Sequence, residues 1–168
     1  WLKEVAPLTN LTSIRGTIGA MRQLKSKSEE RLLRTAIERS MEAHREAMRA
    51  MRPGMYEYEI AALMEYTFER GGCERPGYSL IVGSGFNSTV LHYVDNRRQM
   101  QAGDVVVIDV GAECAGYTAD ITRTLPASGK FTARQKEIYE IVLGAQNAAI
   151  AAVKPGMTMA RTGDNSLY

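Results

Sequence analysis

Two cysteines, Cys73 and Cys114, are all that the 168 residues contain, and neither has another Cys or His close by at metal-ligand spacing. A disulfide framework of the kind that staples small secreted domains is therefore not expected, and a reducing, cytoplasmic setting fits the composition. Apolar runs are short as well. None reaches the roughly 18 to 20 residues that span a bilayer, and the segment after Trp1 lacks the charged and apolar regions of a signal peptide. A first residue that is Trp rather than Met is expected of a chain that begins inside a longer product. Blocks of like charge are missing too, since the formal net charge of +2 arises from acidic and basic residues mixed along the whole length. Nucleic acid is accordingly not an expected partner, nor is a membrane. What is present, 45% hydrophobic and 24% charged residues, is enough to build one globular core.

Residues 1–25 mix short apolar stretches with Pro7, Asn10, Gly16 and Gly19, and read as a linker or the tail of an upstream domain, with one strand near Ile14 to Ile18. The pattern changes at Ser26. Ser26 and Glu29 form a capping box, and Leu33, Ile37, Met41, His44, Met48 and Met51 recur at helical spacing, predicting an amphipathic helix over 27–51. Arg52-Pro53-Gly54-Met55 stops it. A second helix is predicted over 56–70 from Ile60, Leu63, Met64 and Phe68, ending at Gly71-Gly72. Strands are predicted at 78–82 and 89–93 around a polar loop, then at 105–110 and 117–124 around a short connection. Thr132 and Gln135 form another capping box and open a third helix over 132–153, after which Lys154-Pro155-Gly156-Met157 repeats the earlier tetrapeptide. Both long helices are expected to lay their apolar stripes on one face of the sheet.

The chemistry is concentrated where carboxylates interrupt apolar strands. Asp109 sits in Val105-Val106-Val107-Ile108-Asp109-Val110-Gly111, and Asp120 lies three residues beyond Tyr117. A hairpin centred on Cys114 and Ala115 would set Asp109 directly opposite Asp120, with Cβ atoms roughly 4.5–5.5 Å apart. Two like charges so placed need compensation by a shared proton, a basic side chain or a divalent cation. The plain alternative is one solvated Asp and one paired with Arg123, but Arg123 is three positions from Asp120 and points to the other face of its strand. Oxygen donors without a thiolate favour Mn²⁺, Mg²⁺, Co²⁺ or Zn²⁺. His44 lies in the stripe of the first helix and reads as structural. Gly83-Ser84-Gly85 reads as a loop shaping a pocket, because neither a phosphate-binding helix start nor a nucleophile elbow follows.

Ile108-Asp109-Val110-Gly111 with Gly116-Tyr117-Thr118-Ala119-Asp120-Ile121-Thr122-Arg123-Thr124 resembles the metal-binding hairpin of the aminopeptidase P and prolidase family. The likeness extends through Lys25-Ser26, Arg34, Ala36, Arg52-Pro53-Gly54-Met55, Ile81-Val82-Gly83-Ser84-Gly85, Leu91-His92-Tyr93, Gly129-Lys130-Phe131 and Lys154-Pro155-Gly156. It implies an α+β, pita-bread fold of two pseudo-symmetric halves, with residues 26–168 as the first half. It also implies that Asp109 binds one metal with both oxygens, that Asp120 bridges two, and that one His and two Glu come from the second half. Residues after 156 hold no His and only Asp164 as an acid, so the site is expected to be incomplete in this chain. By the same resemblance His92 lies beside the substrate, a role its near-neutral pKa suits, although a lone His there would ordinarily be a packed or surface residue. The implied activity is a two-metal, Mn²⁺-type aminopeptidase releasing the residue before proline, with Xaa-Pro dipeptidase as the alternative. Co²⁺ or Zn²⁺ could replace Mn²⁺, and a homo-oligomer is implied. Metal-free relatives usually lack the aspartate pair. The chain alone is expected to be inactive.

Overall fold

The computed structural model describes residues 1–8 and 12–158. Along them run α1 (Leu2–Val5), α2 (Arg15–Gln23), α3 (Lys27–Ala50), α4 (Glu57–Arg70), β1 (Arg75–Pro76), β2 (Ile81–Ser84), a 3₁₀ turn (Gly85–Thr89), β3 (Val105–Val110), β4 (Ala112–Cys114), β5 (Tyr117–Thr118), β6 (Ile121–Pro126) and α5 (Ala133–Ala152). Asn10 and Asp164 lie outside the described residues. No described helix is long and apolar enough to cross a membrane. The strand expected near Ile14 to Ile18 is helical instead, because Ile14, Ile18 and Met21 follow helical spacing and Gly16 and Gly19 do not interrupt it.

Helix α3 opens with the Ser26–Glu29 capping box, and α5 with the Thr132–Gln135 box. The tetrapeptides after them repeat in backbone as well as in sequence. The Met55 N–H donates to Arg52 O and the Met157 N–H to Lys154 O, with Gly54 and Gly156 at φ +93° and +87°. Glycine is suited to that left-handed position because it has no Cβ to clash.

The buried face of α3 is not the stripe of large residues. Ala36, Ser40, Ala43, His44 and Ala47 are buried, whereas Ile37, Met41 and Met48 are 40–47% exposed. Small residues let the helix axis approach α4, β4, β5 and β6, which bulkier side chains would hold away. Helix α4 buries Ile60, Ala61, Met64 and Phe68 against Val82, Val106, Ile108 and Val110. By contrast, α5 buries none of its residues, and Ile141 is 68% exposed. It stands off the sheet across a cleft of about 540 Å³ lined by Thr122, Thr124, Phe131, Tyr139, Val142 and Leu143. The expectation that both long helices lay their apolar stripes on the sheet is therefore corrected for both: α3 packs there through its small residues rather than the large stripe, and α5 does not pack there.

Two antiparallel sheets, ordered β1-β4-β5 and β2-β3-β6, are joined where β3 passes into β4 and β5 into β6. The hairpin turns at Ala115-Gly116, both at positive φ (52° and 79°) as a two-residue turn requires. That is one residue later than expected, so Asp109 faces Thr122 rather than Asp120. The partner shift is two residues, which preserves the face on which each side chain lies.

Two further expectations are corrected. Residues 89–93 form no strand, because the side chains of Ser88 and Thr89 bond back to Gly85 O and Phe86 O and tighten the chain into a 3₁₀ turn. Cys73, two residues before β1, and Cys114, in β4, form a disulfide hidden in the sequence by a separation of 41 residues. That pairing removes the ground on which cysteine content pointed to a reducing, cytoplasmic setting.

Candidate metal centre

Burial alternates along β3, with Val106, Ile108 and Val110 turned into the core. Asp109 consequently lies on the other, more open face, where an ionised group keeps part of its hydration. Asp120 sits in the gap between β5 and β6. The same register holds on both sides of that gap, with Val110 facing Ile121 and Glu113 facing Thr118, so no residue is inserted and the ladder is puckered rather than bulged. Gly111 makes the pucker possible, since a Cβ there would overlap the carbonyl of Ala119. The Gly111 carbonyl accepts instead from the Gly77 N–H at 2.9 Å, which brings the next residue, Tyr78, to the break.

Tyr78 joins the two carboxylates. Its hydroxyl lies 2.6 Å from Asp109 Oδ1 and 3.1 Å from Asp120 Oδ1, so those oxygens are no farther apart than the two distances combined. With one proton to give, the phenol donates mainly to Asp109. Burial, then the bond to Asp109 and the charges of both aspartates, push the phenol's pKa well above its ordinary value. It therefore stays a donor at every working pH.

Among the described residues neither aspartate forms an ion pair, and the Arg123 guanidinium donates to Thr122 O rather than to a carboxylate. Two converging carboxylates without a neighbouring cation are a donor set that fits a hard divalent ion. No group of three or more His, Cys, Asp and Glu gathers around one point among the described residues. The structure thus brings Asp109 and Asp120 together and leaves His92 apart. His92 is exposed, at φ 55°, and joins none of the hydrogen bonds of the aspartate pair.

Two supporting residues escaped the sequence. Tyr78 carries no local signal. Glu57 does: it shares the apolar face of α4 with Ile60, Ala61 and Met64, an unusual place for an acid. Fully buried, it accepts from the Ser84 N–H and hydroxyl and from Asn87 through Oε1, and from the Tyr93 hydroxyl and Arg98 N–H through Oε2. Burial pushes its pKa up, yet the bonds from Ser84, Tyr93 and Arg98 together pull it below the ordinary carboxylate value. Through these bonds one carboxylate ties together the segment 84–98 that carries His92. Gly83 and Ser84, expected in a pocket loop, belong to β2, and Ser84 is buried in this knot. His44 is structural as expected, with its Nε2 donating to Ile121 O.

Residues 31–166 match metallopeptidase family M24. Over 154 residues the chain is 44% identical to an Xaa-Pro aminopeptidase of Escherichia coli (strain K12), covering 92% of this chain and 35% of that protein. Over 153 residues it is also 44% identical to an Xaa-Pro dipeptidase of Homo sapiens, covering 88% of this chain and 31% of that one. The structure resembles proline aminopeptidase P II from Yersinia pestis with a TM-score of 0.91 at 41% identity, over 94% of this chain and 36% of that chain. Zinc-substituted E. coli aminopeptidase P in complex with product gives 0.91 at 39% identity, over 98% and 38%. The chain spans about a third of the length of the curated relatives it matches. Helices beside antiparallel sheet, with this likeness to aminopeptidase P, make the fold the expected α+β, pita-bread one.

Proposed function

Since this chain belongs to metallopeptidase family M24, we propose that residues 26–168 are the first half of the catalytic domain of a dinuclear metal-dependent aminopeptidase that removes the residue preceding proline. The observation that carries this reading is the convergence of Asp109 and Asp120 on the Tyr78 hydroxyl, with neither in an ion pair among the described residues. Their oxygens would hold two divalent cations, Mn²⁺ before Co²⁺ or Zn²⁺, with the other donors supplied by polypeptide outside this chain. When bound, such ions act as Lewis acids toward the scissile carbonyl. Tyr78 fixes one oxygen of Asp109 by hydrogen bonding and leaves the second free, a supporting contact that orients a ligand without competing for it. His92, exposed on the segment that Glu57 holds, would hydrogen-bond the peptide.

A second reading, Xaa-Pro dipeptidase, has equal support in the 44% identity to the human protein of that name. The test is made on the full-length protein, stripped of metal and reloaded with Mn²⁺, offered a tripeptide with proline second and an Xaa-Pro dipeptide. Preference for the tripeptide supports the aminopeptidase, and preference for the dipeptide supports the alternative. In the same assay Asp109→Asn and Asp120→Asn should each lose metal and turnover. Unchanged turnover in either would remove that aspartate from the site.

A further inference from the structure

The pucker that brings Asp120 toward Asp109 leaves a backbone group without its ladder partner. Across the break the Ala119 N–H donates to Ala112 O at 3.1 Å, but the Ala112 N–H donates to Ser40 Oγ at 2.9 Å. A buried N–H with no partner costs roughly 1–3 kcal/mol, so this substitution is what makes the break tolerable. One helical turn on, His44 Nε2 lies 3.0 Å from Ile121 O, the carbonyl of the residue after Asp120. Ser40 and His44 are the two polar side chains in the otherwise alanine-lined buried face of α3; Ser40 reaches Ala112, three residues beyond Asp109, and His44 reaches Ile121, the residue after Asp120. Ser40 Oγ uses its own proton on Ala36 O at 2.8 Å, so it can only accept from Ala112. A carbonyl can only accept, so His44 carries its proton on Nε2, and its buried Nδ1 has no hydrogen-bond partner among the described residues.

We infer that Ser40 and His44 form a positioning pair: from one rigid helix they pin the backbone just after Asp109, at Ala112, and the backbone just after Asp120, at Ile121, on either side of the break, and so set the separation of the two carboxylates. The inference rests on the metal-binding reading of Asp109 and Asp120. Spacing four residues apart on a helix puts both side chains on one face about one turn apart, which matches the alternation of a donor on one strand with an acceptor on its neighbour. A merely space-filling role would leave Nε2 unpaired and the Ala112 N–H orphaned.

The test uses the full-length protein, stripped of metal, with His44→Leu, Ser40→Ala, the double variant, His44→Gln, Asp120→Asn, and Met64→Ala as a control that empties core volume under α4 without removing either hydrogen bond. Mn²⁺ binding is titrated by calorimetry, and the ring nitrogens of His44 are observed by ¹⁵N NMR in the metal-free wild type. Removing a supporting hydrogen-bond partner typically weakens metal binding at least about ten-fold, and that loss is expected for His44→Leu and for Ser40→Ala. His44→Gln, whose amide N–H still reaches Ile121 O, should stay within about three-fold of wild type by the same reasoning, and Met64→Ala should bind Mn²⁺ normally once folded. The spectrum should show the Nε2-protonated tautomer. Wild-type affinity in Ser40→Ala and His44→Leu, an equal loss in Met64→Ala, or an Nδ1-protonated ring would each overturn the pair. If His44→Leu does not fold, Ser40→Ala and the tautomer decide. Wild-type affinity in Asp120→Asn would instead sink the metal reading itself.

Discussion

Replacing Glu57 with Gln tests the knot beneath the His92 segment, and its cost follows from the geometry. Each carboxylate oxygen accepts one backbone N–H, from Ser84 at 2.7 Å and from Arg98 at 2.9 Å. Hydroxyls can rotate to suit an amide, but these two backbone donors cannot. Whichever way the Gln side chain is turned, its NH₂ faces one of them, and a buried donor is left unpaired at about 1–3 kcal/mol. The bonds that survive change from charge-assisted to neutral and weaken by a further ~1–2 kcal/mol. Burying an amide in place of a charge offsets part of this. The expected loss is about 2–4 kcal/mol, a large share of the ~5–15 kcal/mol typical of a folded domain. Urea unfolding of the full-length protein measures it, and hydrogen exchange at the Ser84 and Arg98 amides shows whether the loss is local to segment 84–98. A loss below about 0.5 kcal/mol, with both amides as protected as in wild type, would refute the reasoning.

Acid should act on the same carboxylate. Its folded pKa lies below the ordinary Glu value of about 4.3, so the stability it contributes is fully present above that value and is lost as the pH falls through the lower, folded one. Urea midpoints of wild type should fall more steeply than those of Glu57→Gln below about pH 4, and parallel curves would contradict this. Gly111→Ala would drive a Cβ into Ala119 O, so calorimetry should show weakened Mn²⁺ binding, while unchanged affinity would mean that the pucker is dispensable. Met64→Ala should cost about 2–5 kcal/mol in thermal or urea unfolding, and Ile37→Ala, 41% exposed, markedly less. A reversal of that order would restore the large-residue stripe as the core face of α3.

Features encoded by neighbouring residues were legible. Ser26 with Glu29 and Thr132 with Gln135 mark helix starts because a cap is a contact three residues long, and β3 announces itself as an apolar run broken by one acid. The core face of α3 was not, since alanines contribute little to a hydrophobic pattern even when close approach makes them the buried ones. Ala115-Gly116 could have set the hairpin register, because Gly116 is the residue most at ease at positive φ in that turn. The disulfide, the Tyr78 bridge and the Glu57 knot join residues 27 to 42 positions apart, and no local pattern records such partners. Whether α5 would pack was equally illegible, because an apolar stripe states that a face is greasy without saying what covers it.

Chain direction gives the aspartate pair a property of its own. Ser40, His44 and Tyr78 all precede Asp109 and Asp120, and the bonds from Ser40 and His44 reach forward by 72 and 77 residues. Every group that holds the pair has therefore been made by the time β6 leaves the ribosome, and at about 5–20 residues per second the rest of a longer polypeptide takes many seconds to follow. Ribosome-stalled chains ending beyond α5 should already protect the Ala112 amide from exchange, whereas chains ending before Ile121 should not. On the metal-binding reading the aspartate pair is then a template in the nascent chain, onto which residues synthesised later would dock with the spacing of the carboxylates already decided.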